Sequence, residues 1–243
     1  MDTEEAQRLV DGIESRLRAH ADPARATTER AYLKSSLEHI GVNVATTRKI
    51  TREVAPDTRH DVIALAKALW QQPVHERRLA TVELLAYRRS RLTAADLPYT
   101  KRLIHESMTW AYVDHLAELV VGDIVERIPD SAAELGSWAT DDDFWVRRSA
   151  LLALLGPLRR DNGDLERFSR YADSMLDEKE FFIRKAIGWI LRDIGKQRPE
   201  WVTGWLAQRP GRVPVLAVRE AVKNLPAADR QAFIDAAAGR RPR

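Results

Sequence analysis

The sequence predicts an all-α protein, an α-solenoid of HEAT-like helical pairs. Three observations carry this. The composition is rich in Ala, Leu, Arg and Val, with only 11 Gly and 11 Pro in 243 residues, which favours helix. Apolar residues recur at the helical period along nearly the whole chain, and no segment sustains the two-residue alternation of a strand. Turn residues punctuate these stretches at short intervals, so many short helices are joined by short loops. Stacked helix pairs of this kind build one curved domain whose concave face can cradle a duplex.

Taken in order, helices are expected near 3–21, 28–40, 46–54, 58–71, 75–89, 94–106, 109–127, 130–138, 142–155, 163–176, 180–196, 199–207, 214–223 and 227–238. The breaks fall at Asp22-Pro23, Gly41, Pro56-Asp57, Gln72-Pro73, Pro129-Asp130, Gly156-Pro157, Asn162-Gly163, Pro199, Pro210-Gly211 and Pro226. Trp70, Trp110, Trp145 and Trp189 recur 35–44 residues apart, inside the range of HEAT-like pairs, although coincidence would also give that spacing. No linker or low-complexity stretch divides the chain, so residues 1–243 read as a single domain. The basic tail, 239–243, is expected to fray.

Composition excludes several chemistries. The absence of cysteine removes disulfides, thiolate metal sites and cysteine nucleophiles, and fits a reducing compartment. The acidic start, MDTEEAQRLVDG, has no apolar signal region, and no apolar run would span a bilayer. The expected setting is cytoplasmic, with no membrane partner. There is no glycine-rich phosphate loop, HExxH helix, G-x-S-x-G elbow or zinc-deaminase signature. His20, His39, His60, His75, His105 and His115 show no ligand spacing, so neither metal nor cofactor is expected. Net charge is only +3, but Arg strongly outnumbers Lys, and guanidinium suits bidentate phosphate contact. A local basic patch suffices for nucleic acid.

Three helices carry candidate chemistry. In Glu180–Lys196 the apolar stripe is Ile183, Ile187, Ile190, Leu191 and Ile194, and Phe182, Lys185, Trp189, Arg192 and Lys196 fall opposite. Cations interleaved with aromatics suit a nucleic-acid surface, and equally a solvated face with Trp189 packed on a neighbour. In Thr109–Arg127 the stripe runs Trp110, Val113, Ala117, Val120, Val121 and Ile124, with Asp114 at its edge one turn beyond Trp110. A carboxylate there either makes a structural bond or lines a cleft. In the helix after Asp141-Asp142-Asp143, Arg148 projects from a stripe of Phe144, Leu151, Leu152 and Leu155. A guanidinium so placed needs a carboxylate, a carbonyl end or a phosphate. An Arg–Asp staple between repeats, with Asp114 as partner, would also satisfy it.

WAYVD (Trp110–Asp114), the W-x-x-R of Trp145–Arg148 and KEFFIRKAIGWILRDIGKQRPEWV (Lys179–Val202) resemble the DNA alkylation repair glycosylases, the HEAT-like-repeat family typified by bacterial AlkD. AYLKSSLEHIGV (Ala31–Val42) and LWQQPVHERRLATVELL (Leu69–Leu85) resemble its first segments, so the likeness spans about 28–224. The resemblance implies a site of Trp110, Asp114, Arg148 and Trp189, with Tyr32 at the N-terminal motif's tyrosine. One departure bears on N-terminal DNA contact. Many members have proline then arginine after the G-[IV] pair, where this chain runs Gly41-Val42-Asn43-Val44-Ala45-Thr46-Thr47-Arg48.

The implied activity is hydrolysis of the N-glycosidic bond of cationic N3- or N7-alkylated purines in duplex DNA by a monomer without cofactor. Asp114 would stabilise oxocarbenium charge on the deoxyribose. Trp110 and Trp189 would pack on the lesion's sugar-backbone face, and Arg148 would hold a phosphate. Tyr32, Arg147, Lys185, Arg192 and Lys196 are candidates for DNA contact. The resemblance further implies that the base need not be flipped and that bulky adducts fit. Two other readings are a non-catalytic HEAT-type protein recognising distorted or branched DNA, and a protein–protein scaffold. The four-residue set favours the glycosylase.

Overall fold

The computed structural model describes residues 1–239; residues 240–243, most of the tail expected to fray, lie outside the described residues. The fold is all-α. Among the described residues the one extended pairing is a parallel bridge between Glu38 and Val74. The chain divides into two compact units, Met1–Ile124 and Val125–Arg243. That boundary falls within the helix Gly122–Arg127, which is why no linker composition marked it.

The first unit contains α1 (Thr3–Arg18), α2 (Pro23–Leu33), α3 (Val44–Glu53), α4 (Arg59–Trp70), α5 (His75–Tyr87), α6 (Leu97–Ser107) and α7 (Trp110–His115). The π-helical stretch Leu116–Val121 leads into α8 (Gly122–Arg127). Asp2, Asp22, Asn43 and Thr58 cap α1 to α4 by accepting from free first-turn amides. The central element is α5, buried on nearly every side and packed by α3, α4 and the π-helical stretch.

Two expectations are corrected here. The helix expected at 28–40 instead starts at Pro23, because Asp22 Oδ1 accepts from Ala24 N and Arg25 N (3.0 and 3.1 Å) and proline suits the first turn. Lys34, at φ 51°, ends it in a left-handed turn. The amides of Ile40, Gly41 and Val42 then bond the buried Glu76 carboxylate (2.9, 2.6 and 3.1 Å) rather than helical carbonyls. Gly41 is obligatory, since at its φ of +89° a Cβ would lie 2.0 Å from the Asp22 carbonyl oxygen. The single helix expected at 109–127 instead changes winding at Leu116, and π-turns of this kind often sit at functional sites.

The second unit contains α9 (Ala132–Trp138), α10 (Phe144–Leu152), α11 (Leu155–Arg159), α12 (Leu165–Met175), α13 (Phe181–Ile194), α14 (Pro199–Ala207), α15 (Val215–Ala221) and α16 (Ala227–Ala237). The stretch expected to be one helix over 142–155 ends at Leu152, and α11 begins at Leu155 with Pro157 in its first turn. α13 is central and packs against α10, α11, α14 and α15. Its approach to α15 is close: a Cβ on Gly188 would meet the Ala217 carbonyl oxygen and Glu220 Cβ, each at 2.7 Å.

Within both units, polar staples join residues about 35 positions apart. In the first, Arg48 Nε reaches Glu83 (2.7 Å, 35 residues on), Arg59 reaches Asp96 (2.6 Å, 37 on) and Trp70 Nε1 reaches Glu106 (2.7 Å, 36 on). In the second, Arg159 reaches Asp193 (2.8 Å, 34 on), Lys185 reaches Glu220 (2.5 Å, 35 on) and Arg209 reaches back to Asp173 (2.5 Å, 36 residues). This near-constant offset is the repeat, written in side-chain pairs.

Candidate nucleic-acid and catalytic residues

The expected site residues fall into two groups, one in each unit. In the first unit, Met108 turns the chain through a left-handed conformation (φ 51°) at the end of α6. Thr109 then caps α7, its Oγ1 accepting from Ala111 N at 3.4 Å. This places Trp110, 37% exposed, on the first residue of α7. Trp110 is therefore not part of the buried stripe, as the helical period had suggested. Tyr112 takes the inner position, fully buried beside Val113, Leu116 and Ala117. Tyr32, 72% exposed on α2, stands edge-on to Trp110 with centroids 6.1 Å apart and planes at 88°. Two aromatics 78 positions apart in sequence thus form one exposed pair. Asp114 lies one turn after Trp110 and is half-buried, immediately before the π-helical stretch.

In the second unit, Asp143 Oδ1 accepts from Trp145 N (2.7 Å) and starts α10. Trp145 packs with Phe144 and Phe182, centroids 4.6 and 4.7 Å away. Arg148 is only 3% exposed; its guanidinium donates to the Phe182 carbonyl and sits over the Phe182 ring at 5.8 Å. Of the partners the sequence demanded, a carbonyl end is present, and Arg148 thereby positions the first turn of α13. Arg147 is bidentate on Glu178 (2.8 and 2.7 Å) and also binds the Asp141 and Asp142 carbonyls, which makes it a staple of the loop before α10.

On α13, Trp189 is half-buried. Its Nε1 donates to Asp193 Oδ2 at 3.1 Å, and Arg159 lies over its ring at 5.6 Å while also bonding Asp193. Lys196 reaches the other oxygen of Asp193 at 2.7 Å. Lys185, Arg192 and Lys223 converge on Glu220 at 2.5, 2.8 and 2.8 Å. Lys185, Arg192 and Lys196, expected to contact DNA, are thus gathered around two buried carboxylates. Burial pushes both carboxyls up, but the cations outweigh it. Asp193 ends below the usual range through Lys196 and Arg159, and Glu220 falls to about 2 through Lys185 and Lys223.

Sequence reasoning missed Glu76, Asp193 and Glu220 because an acidic residue in an amphipathic helix carries no mark of the cations a repeat away. In the departing segment after Gly41, Asn43 caps α3 through Thr46 N (2.9 Å), and Arg48 is bidentate on Glu83 (2.7 and 3.0 Å).

No curated protein matches the chain in sequence. Solved structures do match in fold. The predicted DNA alkylation repair enzyme from Enterococcus faecalis aligns with a TM-score of 0.77 at 21% identity, over 86% of this chain and 98% of that one. AlkD2 from Streptococcus mutans aligns at 0.57 and 16% identity, over 88% and 97%. The alkylpurine DNA glycosylase AlkC from Pseudomonas fluorescens, bound to DNA containing an abasic site analog, aligns at 0.53 and 16% identity, over 96% of this chain and 66% of that one. At these identities the likeness is one of fold. The sequence profile of the DNA alkylation repair enzyme family matches residues 13–225, nearly the whole described chain, and the protein belongs to that family.

Proposed function

We propose that the protein is a DNA glycosylase that hydrolyses the N-glycosidic bond of cationic N3- or N7-alkylated purines in duplex DNA. The observation that carries this reading is the exposed Tyr32–Trp110 pair with the half-buried Asp114 carboxylate one turn further along α7. Membership of the DNA alkylation repair enzyme family supports it, as does a fold shared with an alkylpurine DNA glycosylase bound to abasic-site DNA.

The chemistry follows from charge. Alkylation makes the purine cationic and a good leaving group. As it departs, positive charge moves to the deoxyribose, and a fixed carboxylate near C1′ stabilises it and orients the attacking water. We assign that carboxylate to Asp114. In the first unit the exposed Trp110 ring offers a face to a positively charged nucleotide, where cation–π attraction favours the damaged over the neutral base. In the second unit Trp189, whose ring already carries Arg159, is assigned separately to DNA contact. Arg148 acts through α13, by fixing the Phe182 turn. Lys196, just beyond the C-terminal end of α13 and exposed, is the backbone contact we assign there. The aromatic pair on α2 and α7 offers a surface for the sugar-phosphate edge, which is compatible with excision without base flipping and with bulky adducts.

The deciding experiment incubates purified protein with alkylated duplex DNA and identifies released bases by mass spectrometry. The expected result is release of 3-methyladenine or 7-methylguanine by the wild type. Asp114→Asn should lose roughly 10²–10³ in rate, the typical loss of one preorganised group, while keeping duplex affinity. Unaltered release by Asp114→Asn would refute the assigned role, and affinity for branched duplex without any release would favour the non-catalytic reading.

A further inference from the structure

The first unit gathers three metal-binding side chains that no sequence spacing announced. Glu29 of α2, His39 of the segment between α2 and α3, and His75 at the start of α5 each place one ligand atom within 4.8 Å of the others. The His39 and His75 rings are stacked, with centroids 4.3 Å apart and planes at 9°. Both ring nitrogens of His39 and Glu29 Oε2 are buried without a hydrogen-bond partner. His75 is 6% exposed. Unsatisfied polar atoms of this kind are rare in interiors and ask for an occupant.

The surroundings are those of a prepared ligand set. The Tyr112 hydroxyl lies 2.5 Å from His75 Nδ1 and 3.2 Å from the His75 carbonyl oxygen. With an ion on Nε2 the imidazole proton sits on Nδ1, within reach of the Tyr112 oxygen, which is how metal-binding imidazoles are oriented. Arg25 bonds Glu29 Oε1 at 2.9 Å and leaves Oε2 for the site. His39 cannot drift, because the next three amides are held by Glu76, while Glu38 pairs with Pro73 and His75 through the backbone.

We propose that Glu29, His39 and His75 bind one divalent transition-metal ion of the zinc type, with water completing the coordination. Two imidazoles and a carboxylate are borderline donors that suit zinc over calcium or magnesium. Bonds of about 2.0–2.1 Å to each ligand require small ring rotations that draw the three atoms inward. The ion fastens α2 to α5. That helix has no fully buried residue of its own, and it carries Tyr32 one turn beyond Glu29. The ion's role is thus to hold Tyr32 in register with Trp110.

The test uses chelator-treated full-length protein. Titration with zinc chloride in a calorimeter should show one ion per chain, and cobalt(II) should develop visible d–d absorption. Glu29→Gln and His39→Gln should each weaken binding by more than about 10–100-fold, the loss that even an outer partner causes. Both side chains are half-buried, and unchanged melting in chelator would show that the variants fold. Tyr112→Phe should weaken binding about tenfold by releasing the His75 tautomer. Absence of saturable one-to-one binding, or equal binding by the wild type, Glu29→Gln and His39→Gln, would overturn the proposal.

Discussion

At the scale of single residues, Glu220 shows how strongly partners decide a side chain's state. Its carboxyl is pulled to about 2, burial notwithstanding, by Lys185 and Lys223. In the unfolded chain an ordinary Glu titrates near 4.3. The folded state therefore binds fewer protons between those values, and the stabilisation is complete above about 4.5 and is lost as pH falls towards 2. The effect is at most about 3 kcal/mol and smaller after solvent screening of the half-exposed cations. Acid titrations of chemical-denaturation midpoints should show the wild type losing stability across that window and Glu220→Gln losing less; superimposable curves would contradict it. None of this was legible from the sequence, where Lys185 and Arg192 read as free cations. The residue types at Trp110, Asp114, Arg148 and Trp189 were legible because they stand in specific motifs. The inward turn of Arg148 was legible only as a need for some partner, since sequence cannot say which carbonyl arrives.

At the scale of elements, periodicity placed most helices, and it failed where side chains compete for backbone groups. The segment Ser35–Ile40 was expected to be helical, but Glu76 takes the amides of Ile40, Gly41 and Val42 and the chain leaves the helix at Lys34. The π-helical stretch escaped notice because a widened turn leaves the apolar pattern of α7 nearly unchanged. Helix α13 was read correctly as a core stripe with a mixed opposite face; what the pattern could not show is that α15 covers part of that face. Gly188 makes the contact possible. Gly188→Ala should destabilise by about 1–3 kcal/mol through overpacking, although alanine is the better helix former by about 1 kcal/mol. A variant with an unchanged or raised urea midpoint would show that the α13–α15 approach is not as tight as described.

At the scale of the molecule, the repeat is visible less in tryptophan spacing than in cation–carboxylate staples about 35 residues apart. Exposed pairs of this kind contribute about 0–1 kcal/mol each, so they are not the main source of stability. Their asymmetry matters more. Glu83, Asp96, Asp193 and Glu220 are buried while their partners are half-exposed, and for Glu83 and Asp96, each held by a single Arg, loss of that cation strands a charge in the interior. The staples therefore select the register in which each helix pair meets the next. Arg48→Ala or Arg59→Ala should cost about 3 kcal/mol or more, against under 1 kcal/mol for the i, i+4 pair of Arg8 and Glu4. Comparable losses at all three positions would remove the distinction.

The clustering of Lys185, Arg192 and Lys223 on one carboxylate also bears on how the protein meets a polyanion. Only charge that is not already neutralised displaces the small ions condensed along a duplex, and that displacement sets how steeply affinity falls with salt. A tally of lysines and arginines on α13 overstates this number. Fluorescence anisotropy across a salt series should give a shallow log–log slope for the wild type, steepened by roughly one in Glu220→Gln as an ammonium is released to a phosphate. Under the proposed function, recognition by this surface would lean on rings and shape more than on net positive charge, in a chain carrying only +3 overall.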